Sequence, residues 1–381
     1  MRILFVCGGG YVYGKEIIVL SLLEGLRKRG HEVACLASTW NDGKFIGELE
    51  RRAIRYERIP LGFISKTLSI SAFRMTLEQA TLIPRLLRDY RKFVREFRPD
   101  IVVHSSFHHL LALWPVLGGH RNVFHVHDYF SPTKFYCGVL WLIGLRVKRF
   151  IGVSKFISDS LVRAGVSGAK VGYVLNGISI DSPIGDRNGR RKNVRPLDSN
   201  GLVIGIVGQI GSWKGHDDFL AALRMLRESE TPFQAKIFGN GDDSYIASLK
   251  ERLKDWDLAE SVHWSGFVAD REEIFSSIDL CVVPSQFQDP CPTVAIEAAS
   301  FGIPVVATRL GGLPEIIKNG ETGYIVEPGS PQSLADHLRV LIENESLRHQ
   351  MAHDSRKRSK TVLSESRMLD EIEIVFCNAL L

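Results

Sequence analysis

The sequence predicts an α/β chain of two doubly wound parallel-sheet domains in tandem, and three observations carry that prediction. An apolar strand, a glycine turn and an apolar-periodic helix follow one another over residues 2–28, and the same order restarts at Leu202. Between the two runs, residues 186–200 are largely polar and aperiodic and open with Asp186-Arg-Asn-Gly-Arg-Arg-Lys-Asn193, as linkers and exposed loops do. At 381 residues the chain also exceeds what one compact core serves and suits two domains of ordinary size.

The elements follow in order. Residues 2–7 form a strand, Gly8-Gly-Gly10 with Gly14 forms the turn, and Ile17 to Lys28 carry leucine and isoleucine at helical spacing until Gly30 stops the helix. His31 to Ser38 then reads as a second strand, completing a βαβ unit, and such units build parallel sheets covered by helices. Strands at 100–104, 122–127, 149–153 and 170–175 fill a first domain of residues 1–185. Strands at 202–207, 235–238, 262–265, 280–283 and 304–307 repeat the plan in a second domain of residues 201–362. The closing segment 363–381 places Leu363, Met368, Leu369, Ile372, Val375, Phe376 and Leu380 at helical spacing after the basic stretch Arg356-Lys-Arg-Ser-Lys360. It closes the second domain or crosses back to the first.

Composition narrows the function classes. A chain with 45% hydrophobic and 24% charged residues is neither a fibre nor disordered. No run of about 18 apolar residues occurs, and the apolar N-terminal run is too short for a signal peptide's core. The six cysteines form no C-x-x-C pair, which points to buried reduced thiols and a reducing, cytoplasmic setting. Residues 1–185 hold 26 Lys+Arg against 14 Asp+Glu, and the rest hold 22 against 29. Many of the cations lie between Arg51 and Arg98, interleaved with Phe63, Ile64, Leu68, Phe73, Leu82, Leu86, Leu87 and Phe93. That 51–98 stretch fits a solvated helix face or a peripheral seat on anionic lipid at the inner membrane face. Positive charge confined to one half, with no recognition motif, argues against a nucleic-acid partner.

Several constellations carry chemistry. The first glycine turn exposes N–H groups at a helix start, where an anion is favoured. It is no dinucleotide fingerprint: Tyr13 holds the third glycine position, and the second strand ends in Leu36-Ala-Ser38 without an acid. Gly208-Gln209-Ile-Gly-Ser-Trp-Lys214-Gly puts a lysine in the corresponding turn of the second domain, where it can reach a diphosphate or simply face solvent. His127 in Phe-His-Val-His-Asp128 ends a strand, facing whatever binds outside the carboxyl edge, and His125 shares its strand face. No third ligand accompanies the two, so no metal is expected. His104, His108 and His109 read as acceptor-cleft or structural residues, and Asp255-Trp-Asp257 as a solvated helix end. In Asp289-Pro-Cys-Pro-Thr-Val-Ala-Ile-Glu297 two carboxylates stand eight positions apart, followed by Gly311-Gly-Leu-Pro-Glu315. They read either as helix-start and ordinary helix acids or as a pocket that grips hydroxyls and phosphate, as a sugar nucleotide requires.

These residues resemble the retaining glycosyltransferases of family 4, with their two-Rossmann-domain GT-B architecture. Asp289 to Glu297 is similar to the E-x7-E motif, Gly311 to Glu315 to G-G-x-P-E, and Asn319-Gly-Glu-Thr-Gly323-Tyr-Ile-Val to N-G-x-T-G followed by apolar residues. Tyr13-Gly-Lys-Glu16, Ile151-Gly-Val-Ser154-Lys and Val174-Leu-Asn176-Gly-Ile resemble signatures of the first domain. The resemblance implies two domains facing across a cleft, with the last helix returning to the first. It implies that Gly14 and Lys214 meet the diphosphate, Glu297 the ribose hydroxyls, and Asp289 and His127 the transferred sugar. Backbone N–H groups over Cys291, Pro292, Thr293 and Val294 would assist, and Phe267 and Val268 would lie by the base. Three departures stand out. Gln209 replaces a common arginine at the diphosphate, Asp289 is one methylene shorter than the usual glutamate, and Pro292, often glycine, has no N–H to donate.

The expected activity is transfer of a hexose from a nucleoside diphosphate sugar, UDP-sugar favoured, to a hydroxyl of a glycan or lipid-linked acceptor, with retention and without a metal cofactor. Two alternatives remain open: a sugar-nucleotide epimerase of the same architecture, and a non-catalytic sugar-nucleotide-binding subunit.

Overall fold

The structure, a computed structural model, describes residues 1–8, 10, 12–62, 70–179 and 201–380, with residues 70–79 described in backbone alone. The chain divides into two compact units: Met1–Gly177 with Glu365–Leu381, and Ile178–Ser364. Gly9, Phe63, Ile64, Leu68 and the 186–200 segment lie outside the described residues, as does the Phe73 side chain.

The first unit runs β1 (Arg2–Cys7), α1 (Gly14–Lys28), β2 (Glu32–Ser38), α2 (Lys44–Arg51), β3 (Arg55–Ile59), α3 (Ile70–Phe97), β4 (Ile101–His104), α4 (Phe107–Leu113), β5 (Asn122–Val126), α5 (Lys134–Gly144), β6 (Val147–Gly152), α6 (Lys155–Arg163) and β7 (Val171–Tyr173). Its seven strands lie in the order β3-β2-β1-β4-β5-β6-β7, all parallel. Helices cover both faces of such a sheet, which is why Ile3 to Cys7 and Ile101 to Val103 are apolar without alternation and fully buried.

The second unit runs β8 (Leu202–Val207), α7 (His216–Glu228), β9 (Phe233–Phe238), α8 (Asp243–Asp255), β10 (Val262–Gly266), α9 (Arg271–Ser276), β11 (Leu280–Val283), α10 (Thr293–Ser300), β12 (Val305–Thr308), α11 (Leu313–Ile316), β13 (Gly323–Val326), α12 (Pro331–Glu343) and α13 (Glu345–Thr361). Its parallel strands are ordered β10-β9-β8-β11-β12-β13. Ile204, Ile206, Ile237 and Val282 pack with Phe219 and Leu223 of α7 and Leu338 of α12 in one core.

Both sheets reverse their strand order once, between β1 and β4 and between β8 and β11. Loops leaving such a switch point in opposite directions open a crevice outside the carboxyl edge, which is where ligands bind in open parallel sheets. The glycine turns at Gly8 and Gly208 each leave a strand at that point.

Two strands escape the sequence pattern. β3, Arg55-Tyr-Glu-Arg-Ile59, is an edge strand whose residues are mostly exposed, so it carries no apolar alternation. β13 is four residues long at the edge of the second sheet and begins on Gly323, a residue that weakens strands.

The last helix, α14 (Glu365–Leu380), belongs to the first unit. It buries Met368, Leu369, Ile372, Phe376 and Ala379. Leu369 presses so closely on α1 at Gly25 that a Cβ there would stand 2.4 Å from its Cδ1. Around this contact Arg29 pairs with Asp370 at 2.7 Å and Glu373 at 2.6 Å, and His31 Nε2 meets Glu373 at 2.6 Å. Leu369→Ala is therefore expected to lower the unfolding free energy by about 2–5 kcal/mol, the range for buried leucine truncation. A urea melt would check it, and an unchanged midpoint would show that the helix docks without contributing. Among the described residues no helix is long and apolar enough to cross a membrane.

Candidate functional site

In the second unit the chain leaves β8, turns through Gly208–Gly211 and makes one short helical turn, Ser212–Lys214, before α7. The turn delivers the Lys214 ammonium to Asp289 in the loop after β11, with Nζ to Oδ2 at 2.5 Å. These residues are 75 apart in sequence and meet because β8 and β11 are neighbours across the switch point. The Asp289 carboxylate is 14% exposed and Lys214 32%, so the pair is shielded but reachable by a ligand.

The loop bearing Asp289 is held from several sides. The Gln286 N–H donates to the Trp213 carbonyl at 2.8 Å, and the Gln286 amide donates to Asp218 at 2.7 Å, tying the loop to the lysine turn. Thr308 at the end of β12 donates to the Ser285 carbonyl at 2.7 Å. The Gly311 N–H donates to Gln288 Oε1 at 3.0 Å and the Gly312 N–H to the Asp289 carbonyl at 2.9 Å. Gly311 has φ of 59°, and a Cβ there would lie 1.8 Å from the Asp289 carbonyl oxygen. The double glycine is thus a clamp that sets where Asp289 stands.

Glu297 is buried in the second turn of α10, eight positions after Asp289 along the chain. Burial raises the pKa of its carboxyl above the usual range, against the opposing pull of Arg271, whose Nη1 is 3.8 Å away. Burial also pushes the Cys281 thiol up to about 12, with Glu297 adding to it. Cys291 is buried, and Pro292 opens α10 without a side-chain cap. The first-turn N–H groups of a helix, here beginning at Thr293 and Val294, have no intrahelical acceptor and favour an anion. Gln209 is exposed in the turn after β8, and Phe267 and Val268 follow β10 at the same edge, Phe267 with 58% of its surface exposed. Backbone bonds from Gly208 to Phe238 and from Gly239 to Gly266 tie these neighbouring edge loops together.

In the first unit Gly14 is the first residue of α1, and the Glu16 carboxylate accepts the Tyr13 N–H at 3.3 Å, closing the helix start. His127, just past β5, places Nε2 3.1 Å from His125 Nδ1, the rings meeting edge to face. Desolvation holds His127 well below its ordinary pKa, assisted by His125 and by Lys15. Burial likewise lowers His125 to about 4 and His109, which packs against Gly8, to about 3. All three rings are neutral near pH 7. Burial works against the Lys15 ammonium, yet Glu16 at 3.2 Å, Cys7 and Asp128 prevail and raise its pKa. His104 faces Asn122 Oδ1 at 3.1 Å, a structural role. Among the described residues no group of three His, Cys, Asp or Glu side chains could hold a metal ion.

The structure therefore brings Lys214 and Asp289 into contact and groups Lys15, Glu16, His109, His125, His127 and Asp128 in the first unit. The sequence reading left Lys15, Glu16 and Arg271 without a role. The Tyr13-Gly-Lys-Glu16 signature contained the first two, but only the fold shows that Lys15, at the start of α1, stands within electrostatic reach of His127. Arg271 lies 26 positions before Glu297, and nothing local connects them.

Comparison with known proteins bears on both units. Residues 12–182 match the family described as Glycosyltransferase Family 4, and residues 189–358 match Glycosyl transferases group 1. An uncharacterized glycosyltransferase of Haemophilus influenzae is 30% identical over 367 residues, covering 93% of this chain and 94% of its own. The capsular polysaccharide biosynthesis glycosyltransferase CapM of Staphylococcus aureus is 26% identical over 204 residues, 53% of this chain and 52% of its own. The match thus spans about half the length of CapM, and less of several other curated relatives. Among solved structures, Anabaena HepE in complex with UDP aligns with a TM-score of 0.80 at 21% identity, over 99% of this chain and 100% of that one. WaaG, a glycosyltransferase involved in lipopolysaccharide biosynthesis, aligns with a TM-score of 0.70 at 17% identity, over 98% and 99%. At these identities the likeness shows the fold, GT-B.

Proposed function

The chain belongs to the group 1 glycosyltransferases of family 4, and from that premise we propose that it moves a hexosyl unit from a nucleoside diphosphate sugar to an acceptor hydroxyl with retained anomeric configuration. The observation that carries this reading is the Lys214–Asp289 pair at the switch point, beside a helix start and a buried Glu297. A cation and helix N–H groups suit a diphosphate, and buried carboxylates suit hydroxyls. A uridine diphosphate donor is the first choice, supported by fold-mates solved with UDP and with UDP-glucose. A glycan or lipid-linked acceptor is supported by relatives in capsule and lipopolysaccharide synthesis.

In this reading Lys214 leaves Asp289 for the diphosphate, and Asp289 turns to hydroxyls of the transferred sugar. The bond from the anomeric carbon to the diphosphate oxygen breaks, and the acceptor oxygen bonds to that carbon on the same face. The acceptor's proton passes to the departing phosphate oxygen. Lys214 and the start of α10 stabilise the charge growing there, an interaction strongest in the transition state. Glu297 accepts from the ribose hydroxyls, and Phe267 and Val268 lie by the base. On the first unit, Gly14 opens α1, whose first-turn N–H groups suit an anion, and neutral His127 offers a hydrogen bond to the sugar. NMR of the product from a donor that turns over tests the stereochemistry, and an inverted anomeric centre refutes it. A thermal-shift series of UDP-, GDP- and ADP-sugars identifies the base, since a ligand bound only to the native state adds stability by mass action.

The environment of Glu297 gives a further expectation. A carboxyl with a raised pKa loses its charge at higher pH than an ordinary glutamate, so the donor KM should rise early on acidification. Arg271→Ala removes the opposing pull and should move that rise to still higher pH. A KM profile that does not change with pH in either protein would take Glu297 out of donor binding.

A further inference from the structure

His125 is an imidazole at a position otherwise suited to an apolar side chain. It lies in β5, an inner strand of the first sheet flanked by β4 and β6, in register with Ile151 of β6. Its strand neighbours Val123, Phe124 and Val126 are apolar and fully buried, and His125 itself is 2% exposed. Burying a polar ring in such a place is unfavourable unless its nitrogens are paired, a penalty that an aliphatic side chain would avoid. Side chains alternate along a strand, so His125 points the same way as His127, two residues on. The two rings meet with centroids 4.4 Å apart and planes at 70°, and His127 Nε2 stands 3.1 Å from His125 Nδ1. Among the described residues neither ring makes another hydrogen bond.

That contact constrains the protons on both rings. Burial keeps each ring neutral near pH 7, so each carries a single proton. A hydrogen bond between two neutral imidazoles needs one nitrogen to donate and the other to accept, so the tautomer of one ring sets the tautomer of the other. With Nε2 engaged by His125, the remaining polar atom of His127 is Nδ1. His127 is half-buried, and its Nδ1, in contrast to those of His104 and His109, is not sealed from solvent. When Nδ1 donates to a ligand hydroxyl, Nε2 is bare and accepts, and His125 then holds its own proton on Nδ1. The reverse arrangement puts the His125 proton on Nε2, where no acceptor stands among the described residues.

We infer that His125 is a positioning residue for the transfer reaction: it donates from Nδ1 to His127 Nε2, which fixes the His127 ring and leaves the proton of that ring on Nδ1 for a hydroxyl of the transferred sugar. The inference rests on the role proposed above for His127, and adds the nitrogen that meets the sugar and the residue that sets its tautomer. His125→Leu removes the bond with a side chain suited to a buried strand, so the unliganded melting temperature should stay equal or rise. The kcat should nonetheless fall about tenfold, the lower end of what is lost with the partner that orients a metal-bound histidine. His125→Asn carries an amide N–H near the place of Nδ1 and should recover most of that loss. With His127→Ala already present, His125→Leu should change kcat by less than about twofold, since residues that act through one contact are not additive. Long-range proton–nitrogen NMR of the full chain carrying isotope-labelled histidine reads the tautomer independently of activity. The His127 signals, assigned by their loss in His127→Ala, should show the proton on Nδ1, and in His125→Leu that preference should disappear. A proton on His127 Nε2, unchanged His127 signals in His125→Leu, or an equal kcat loss from His125→Leu in the His127→Ala chain overturns the inference. Any of these alongside an impaired His127→Ala enzyme sinks the role of His125 alone. Normal turnover in His127→Ala with the expected tautomer signals refutes the sugar contact itself, and the inference falls with it.

Discussion

Lys214→Ala is expected to lower kcat for glycosyl transfer about 10²- to 10³-fold, the cost of removing one group that stabilises charge in a transition state. The donor KM should change far less, because the lysine's contribution grows as the phosphate departs. The fold should survive. The Lys214–Asp289 pair is partly exposed, and such pairs contribute at most about 1 kcal/mol, so the melting temperature should move only slightly. Lys214→Arg retains the charge but carries a planar fork in place of a compact ammonium, so it should restore only part of the loss. Single-turnover kinetics with a donor chosen by thermal shift would measure this. Near-normal turnover in Lys214→Ala would remove the lysine from the phosphate role and with it the main support for the proposed reaction.

Gly311→Ala should damage both activity and stability, by a different route. The added Cβ meets the Asp289 carbonyl oxygen at 1.8 Å, well inside contact distance, and the residue has φ of 59°. The left-handed conformation alone costs a non-glycine residue about 1–2 kcal/mol, and the clash adds to that unless the Asp289 loop moves. If the loop moves, Asp289 leaves its position beside Lys214. A misplacement of about 1 Å can cost roughly 10²-fold in rate, so a loss of that order is expected together with a lower melting temperature. Gly312→Ala is the control, since Gly312 has φ of −86° and an ordinary backbone. Equal effects from the two substitutions would show that the clamp does not set the position of Asp289.

The fold was largely legible because strand, turn and helix follow one another with clear periodicity in each unit. The two missed strands lie at sheet edges, where partial exposure or short length erases the apolar signal. Asp289, Glu297 and Lys214 could be singled out from their local settings in a helix start and a glycine turn. Their partners could not be found in this way. Arg271 reaches Glu297 from another helix, Lys15 acts on His127 from α1, and Gly311 restrains Asp289 from the loop after β12.

By itself the sequence determined the order of elements, the two parallel sheets and the residue types available for chemistry, because periodicity, glycine turns and helix starts are local properties. Tertiary structure alone decided which charges meet, which histidines lose their protons to burial and where the last helix docks. Those outcomes depend on distance and desolvation, which arise only when segments far apart in the chain are packed together.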